Sequence, residues 1–145
     1  MKAFFKFMLL VIIWMNFISV SAQSGDAPKQ NPKTPYQNEL KALNAFLVDF
    51  EDGFFGYIEV VDGQIQIQFK EGKFSKFDLE NMTEPELNET YGQVTWNCKD
   101  DDACVTTDWS EEGKETGILF SGSGSAELEY LMELLNGFIK AYRAK

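Results

Sequence analysis

The two cysteines of this 145-residue chain, Cys98 and Cys104, enclose a run of three consecutive aspartates. Thiols can bind a metal or join as a disulfide. A thiolate-only metal site needs more than two ligands, and the chain contains no histidine that could add one. Two cysteines in an exported protein most often form one disulfide. The pattern therefore predicts a Cys98–Cys104 disulfide, which closes a loop short enough to stabilise the fold by about 2 kcal/mol.

The aspartate run, Asp100, Asp101 and Asp102, is the densest cluster of charge in the sequence. A calcium ion needs six or more oxygen ligands, usually from alternating loop positions or from several loops. Three consecutive carboxylates cannot all point at one ion, so a solvated hairpin tip is favoured over a cation site shared with another loop. We expect these three residues to contact a partner, and a basic partner would suit their charge.

The residue types used by the common catalytic mechanisms are missing. Without histidine, Ser–His and Cys–His nucleophile pairs are excluded. The run Ser-Gly-Ser-Gly-Ser at 121–125 resembles an anion-binding loop before a helix, but Glu127 and Glu129 would repel a phosphate. A strand-to-helix connection with Ser125 as the N-cap is favoured. The sequence predicts no catalytic residue, metal or cofactor. A hydrolase built on two carboxylates is kept as a third possibility.

Five aromatic residues are candidates for ligand contact if one face of the predicted sheet is open: Phe54, Phe55, Tyr57, Trp96 and Trp109. Aromatic side chains more often fill a core. Tyr57 is the best exception, because its predicted neighbours across the hairpin are polar and indicate a face turned to solvent.

The first 33 residues predict export. Lys2 and Lys6 precede an almost uninterrupted apolar run, and Val-Ser-Ala at 20–22 supplies small or compact residues at the cleavage positions of a signal peptide over 1–22. A retained membrane anchor is the alternative, for which the apolar run is short. Residues 23–33 are polar and lack apolar periodicity, which is typical of a flexible linker.

Cleavage after Ala22 leaves 11 basic and 23 acidic residues, a net charge of −12. This charge repels nucleic acid and anionic membrane surfaces and speeds encounter with a basic partner. The remaining 123 residues suffice for a single domain with one core, which we place at 34–145. We expect the protein in the periplasm or outside the cell, with no membrane span after cleavage.

Two patterns in the first half of the domain are clear. Apolar residues at three- and four-residue spacing predict a helix that Thr34 caps and Asp52-Gly53 ends. Alternating runs on either side of Asp62-Gly63 predict a β-hairpin with a two-residue turn. The predicted pairs are Val60 with Ile65, Glu59 with Gln66, Ile58 with Ile67, Tyr57 with Gln68 and Gly56 with Phe69.

The next strands do not keep one apolar face. A third strand over 73–79 places Phe74 and Phe77 on opposite sides. A hairpin centred on the disulfide pairs Trp96 with Thr106 and turns Val105 to the other side. We interpret both conflicts as β-bulges, with a sheet covered on two faces as the alternative for the hairpin.

The remaining segments are a loop or a single helical turn, a strand and a helix. Residues 81–90 are polar and carry two Asn-x-Thr glycosylation sequons, at Asn81 and Asn88. After a last strand over 116–121, apolar residues at helical spacing predict an amphipathic helix over about 126–143.

The segment Val-Thr-Trp-Asn-Cys at 94–98, with Ala-Cys-Val at 103–105 and Phe-Ser-Gly-Ser at 120–123, resembles uncharacterised small domains of exported bacterial proteins. The order of helix, three-stranded meander, hairpin, strand and C-terminal helix resembles the PH-like fold. That resemblance implies a strongly bent antiparallel sheet closed at one end by the terminal helix. It does not extend to phosphoinositide binding, because the basic headgroup-binding loop is missing.

Together the patterns predict an α+β fold: a curved antiparallel sheet of five to seven strands, with an N-terminal helix and a C-terminal amphipathic helix packed on it. The leading hypothesis is a non-enzymatic binding or interaction domain that docks a basic protein partner. The alternative is a carrier that holds a small apolar ligand between the sheet and the C-terminal helix.

The export hypothesis predicts a mature protein that begins at Gln23. Intact-mass measurement of the protein from its native source should give a chain that lacks residues 1–22, because signal peptidase cleaves after the small residue Ala22. A native protein that still carries Met1 would show that the apolar run is retained.

Overall fold

A computed structural model describes residues 34–50, 54–100, 102–122 and 124–145. Two α-helices lie in these ranges, α1 (Gln37–Leu47) and α2 (Ser125–Arg143), and a short 3-10 helix spans Leu79–Asn81. The strands there are β1 (Phe55–Val61), β2 (Gln64–Phe69), β3 (Phe74–Phe77), β4 (Glu86–Asn88), β5 (Gln93–Asn97), β6 (Val105–Thr107), β7 (Lys114–Glu115) and β8 (Gly117–Ser121). The predicted signal peptide (1–22), the linker (23–33), Asp52-Gly53 and Asp101 lie outside the described residues.

The strands form two antiparallel sheets where the sequence predicts one. Their orders are β1-β2-β3-β6-β7 and β4-β5-β8. The rings of Phe77 and Trp96, one from each sheet, lie 5.1 Å apart, and those of Phe55 and Phe120 lie 4.8 Å apart. The α+β class is confirmed, and the core lies between the two sheets and the helices.

The β1–β2 hairpin has the predicted turn and, over most of its length, the predicted register. Asp62 (φ 54°) and Gly63 (φ 84°) form the turn, and the four pairs from Val60–Ile65 to Tyr57–Gln68 are confirmed. The fifth pair is wrong, because a bulge between Phe55 and Tyr57 places Phe55 opposite Phe69. The bulge turns Phe55 into the core and leaves Gly56 where a Cβ would lie 2.9 Å from the Gln68 carbonyl oxygen.

The bulge predicted in the third strand is absent. β3 pairs with β2 in an unbroken register from Ile65–Phe77 to Gln68–Phe74. Phe77 therefore faces the core, while Phe74 lies on the outer side beside the polar Gln68. The conflict between the two residues disappears because Phe74 is an ordinary half-buried surface residue and does not have to face the core.

The hairpin predicted around the disulfide is wrong. β5 pairs with β4 and β8, whereas β6 pairs with β3 and β7. The chain between Cys98 and Cys104 thus passes from one sheet to the other. Trp96 and Val105 are both buried in the shared core without a bulge. Part of the predicted loop at 81–90 also pairs with β5, as β4.

Both predicted helices are present, but neither has the predicted cap. α1 begins at Gln37 without a side-chain cap, and its amide donates to the Thr34 carbonyl oxygen at 3.0 Å. Tyr36 takes the N-cap position and packs its ring on Tyr142 of α2, 5.2 Å away. Gly124, and not Ser125, is the N-cap of α2. Neither described helix is long and apolar enough to cross a membrane.

Asn44 of α1 holds the outer edge of β1. Its Nδ2 donates to the Ile58 carbonyl oxygen at 2.8 Å, and its Oδ1 accepts from the Ile58 amide at 2.6 Å. The side-chain amide thereby takes the place of a neighbouring strand at this residue. It also ties α1 to the sheet whose core face α1 covers with Leu43 and Leu47.

Asn44→Ala should lower the free energy of unfolding by about 2 kcal/mol, because it leaves two partly buried backbone groups unpaired. Urea denaturation followed by tryptophan fluorescence would measure the change. Asn38→Ala, an exposed position on the same helix, is the control and should change stability by less than about 0.5 kcal/mol. Equal effects of the two substitutions would contradict the anchoring role.

Candidate binding site

An apolar pocket of about 360 Å³ lies between residues of the five-stranded sheet and strand β8 of the other sheet. Five apolar residues lie in its lining: Phe54, Phe69, Trp109, Ile118 and Leu119. The pocket is distinct from the packed surface of α2, whose Leu131, Leu135 and Phe138 are fully buried.

Trp109 is held at the pocket by its ring and by the turn that carries it. Its Nε1–H donates to Ser75 Oγ at 3.2 Å, which satisfies a fully buried hydroxyl of β3. Its backbone amide donates to Thr107 Oγ1 at 3.3 Å. Next to it, Asp108 Oδ1 accepts from the Phe74 amide at 2.7 Å. These bonds fix the indole even though 47% of Trp109 is exposed.

Phe54 and Leu119 complete the opening. Phe54 packs its ring on Phe69 at 5.1 Å and is 52% exposed, and Leu119 is 50% exposed. Together with Trp109, three half-exposed large apolar side chains therefore converge on one pocket. A contiguous exposed apolar patch of this kind often marks a binding surface.

The charged residues of the lining are Glu71, Lys73 and Glu115. Lys73 Nζ lies 3.9 Å from Glu71 Oε2, so these two charges offset one another. Glu115 has no ion-pair partner among the described residues. The lining consequently carries one surplus negative charge beside an apolar opening.

The predicted acidic contact residues lie elsewhere. The Cys98 and Cys104 sulfurs are 2.07 Å apart, the distance of a disulfide bond, at the crossing between the sheets. Asp100 and Asp102 are exposed on the enclosed loop, and neither lines the pocket. No group of three Cys, Asp or Glu side chains within the described ranges is placed to hold a metal ion.

The aromatic candidates divide between core and pocket. Phe55 and Trp96 are buried, with 1% and 0% exposed. Tyr57, the sequence's best candidate, is 45% exposed on the outer side opposite Gln68 and does not line the pocket. Phe54 and Trp109 are the two candidates that the structure brings together.

Sequence reasoning missed Leu119 and Ser75. The signal for Leu119 was present, because Ile118, Leu119 and Phe120 are three consecutive apolar residues on a strand. Side chains alternate along a strand, so the middle one must point away from the other two. Ser75 gave no such signal, since its partner Trp109 comes from a distant turn.

The comparisons with known proteins do not place the chain in a family. No family model matches it, and neither a curated protein nor a solved structure matches it.

Replacing both cysteines, with Cys98→Ser and Cys104→Ser, should lower the free energy of unfolding by about 2 kcal/mol. The reason is that opening the loop restores chain entropy to the unfolded state. Urea denaturation would measure it. Dithiothreitol should destabilise the native protein by a similar amount and leave the double variant unchanged. A native protein insensitive to reduction would contradict the disulfide's role.

Proposed function

We propose that this protein is a non-enzymatic binding domain that takes up an apolar group of its partner in the pocket between Phe54, Trp109 and Leu119. The convergence of these three half-exposed side chains is the observation that carries the proposal. Scattered exposed apolar residues need no function, but a cluster around a pocket keeps apolar surface in water at a cost in free energy. Binding would remove that cost.

The pocket's size suits a side chain or a small ligand. Ligand sites commonly span roughly 300–1,000 Å³, and this one has about 360 Å³. Removing about 100 Å² of apolar surface from water contributes about 2.5 kcal/mol. Such a contribution supports recognition but needs further contacts for tight binding.

The proposed site for an apolar group therefore differs from the site named in the carrier hypothesis. The alternative drawn from the sequence put the ligand between the sheet and the C-terminal helix, but Leu131, Leu135 and Phe138 of α2 are fully buried. A basic partner remains part of the proposal, because Glu115 at the pocket is unpaired among the described residues and the whole chain carries a charge of −10.

We further propose that the domain works in the periplasm or outside the cell. The Cys98–Cys104 pair at disulfide distance supports an oxidising compartment. The PH-like resemblance is kept as a proposal about architecture. Its support is the C-terminal helix that closes on antiparallel strands, with the Tyr142 hydroxyl donating to the Gly63 carbonyl oxygen.

Nile red, an uncharged apolar fluorophore, should bind the protein with a blue-shifted, enhanced emission that saturates at one site. Phe54→Ala combined with Leu119→Ser should weaken binding at least tenfold, because the apolar walls of the opening are lost. Titration by fluorescence would measure the dissociation constants.

Tyr91→Ala is the matched control, since Tyr91 is 73% exposed and does not line the pocket. It should leave Nile red affinity unchanged. Equal affinity for the native protein and the double variant, with both folded by circular dichroism, would remove the proposed function.

A further inference from the structure

Strand β8 presents an unpaired edge beside the pocket. It is the last strand of the three-stranded sheet, with β5 on one side only. The Cys98 amide donates to the Thr116 carbonyl oxygen at 2.7 Å, and the Gly122 amide donates to the Gly92 carbonyl oxygen at 3.1 Å. Hydrogen-bonded and non-hydrogen-bonded residue pairs alternate along an antiparallel ladder, so these two bonds show which pairs of β5 and β8 are hydrogen-bonded.

The same alternation fixes which backbone groups of β8 are free. Ile118 and Phe120 are the residues that exchange hydrogen bonds with β5, opposite Trp96 and Val94. The amide and carbonyl of Leu119 therefore point away from β5, as do those of Gly117. Both residues line the pocket, so the unpaired edge and the apolar opening are adjacent.

The other strand edges in the described structure are shorter than β8 or are shielded at a central residue. Asn44 of α1 occupies the outer edge of β1 at Ile58, with hydrogen bonds to both backbone groups. β7 has two residues, and β4, the other edge strand of the three-stranded sheet, has three. β8 has five residues and contains none of the lysines or prolines that commonly protect exposed edges.

We propose that an extended segment of a basic partner adds to the edge of β8 as a further strand and places an apolar side chain in the pocket. This inference rests on the proposed function and names the partner class. Main-chain hydrogen bonds would supply orientation and affinity, and alternate side chains would supply specificity. Apolar residues at every second position would face Phe54 and Trp109.

The negative charge of the protein favours a basic segment as the added strand. The unpaired Glu115 at the pocket favours a lysine or arginine in the added strand. A second copy of this chain is disfavoured because each copy carries a net charge of −10 before any cleavage. Like charges of this size oppose the pairing of two β8 edges.

The test uses the synthetic peptide acetyl-Lys-Val-Lys-Val-Lys-Val-Lys-amide with the whole protein. Isothermal titration should show saturable binding, and the Leu119 amide should exchange its hydrogen at least tenfold more slowly when the peptide is bound. Replacing the lysines of the peptide with glutamate should weaken binding at least tenfold.

Two N-methylated peptides test the strand pairing directly. One carries N-methyl groups on its valines and the other on its lysines, so each blocks one edge of the extended peptide. The peptide can run parallel or antiparallel to β8, and in each direction only one of its edges faces β8 while the valines face the pocket. We expect one direction to be preferred. One methylated peptide should therefore bind at least tenfold more weakly, and the other should bind within twofold of the parent.

Glu115→Gln should weaken the basic peptide about threefold or more, while the exposed Glu112→Gln in the preceding turn should leave its affinity unchanged. Equal binding of both methylated peptides and the parent would overturn strand addition, as would a glutamate peptide that binds equally well. A dimer in sedimentation that protects the Leu119 amide without peptide would assign the edge to a second copy.

The two proposals fail separately. Nile red binding that Phe54→Ala with Leu119→Ser weakens, together with no binding of the peptide, would leave the apolar site standing and remove strand addition. If the protein binds neither Nile red nor the peptide, both the apolar site and strand addition are removed.

Discussion

Ring contacts between the two sheets are the constraint on which this fold depends. Phe77 of β3 meets Trp96 of β5 edge to face, and Phe55 of β1 stacks on Phe120 of β8. A single sheet would leave its inner apolar face open to water. Each of these two sheets therefore buries that face against aromatic residues of the other. The Trp96 Nε1–H donates to the Thr83 carbonyl oxygen at 2.9 Å, which lets a wholly buried indole satisfy its donor.

The crossing between the sheets follows from this shared core. The chain leaves β5 at Asn97 and enters β6 at Val105, and the Cys98–Cys104 disulfide spans that passage. A disulfide within one hairpin would restrain a turn that hydrogen bonds already restrain. Here it restrains two strands that share no ladder, which gives the cross-link a role in keeping the two sheets in place.

The arrangement in two sheets leaves one edge of β8 unpaired. β7 ends at Glu115 and β8 begins at Gly117, so the chain turns from one sheet into the other while the far edge of β8 meets no strand. The apolar pocket lies along this edge. Asn44 shows how the protein shields the edge of β1, and no comparable side chain is bonded to the edge of β8 in the described residues. An unpaired strand edge beside an apolar pocket offers backbone groups with which another chain can pair.

Local patterns in the sequence were enough to predict the elements whose partners are near in the chain. The β1–β2 register follows from Asp62-Gly63 and the alternation around it, and the apolar stripe of α2 follows from helical spacing. The pairing of the cysteines is limited by their number. Among the site residues, Phe54 and Trp109 could be named as candidates from their aromatic character, but nothing local showed that they meet.

The features that depend on distant pairing were set by the packing of the two sheets. The sequence-based prediction joined β5 to β6 because they are consecutive, and it then needed a bulge that β6 does not contain. Burial of Trp96 and Val105 against opposite sheets removes the conflict, since two inner faces can accept residues of either parity. The pocket arises in the same way: Ser75, Trp109 and Leu119 come from three separate segments. Only the packing of the two sheets brings them together, because no short-range pattern encodes which edge remains unpaired.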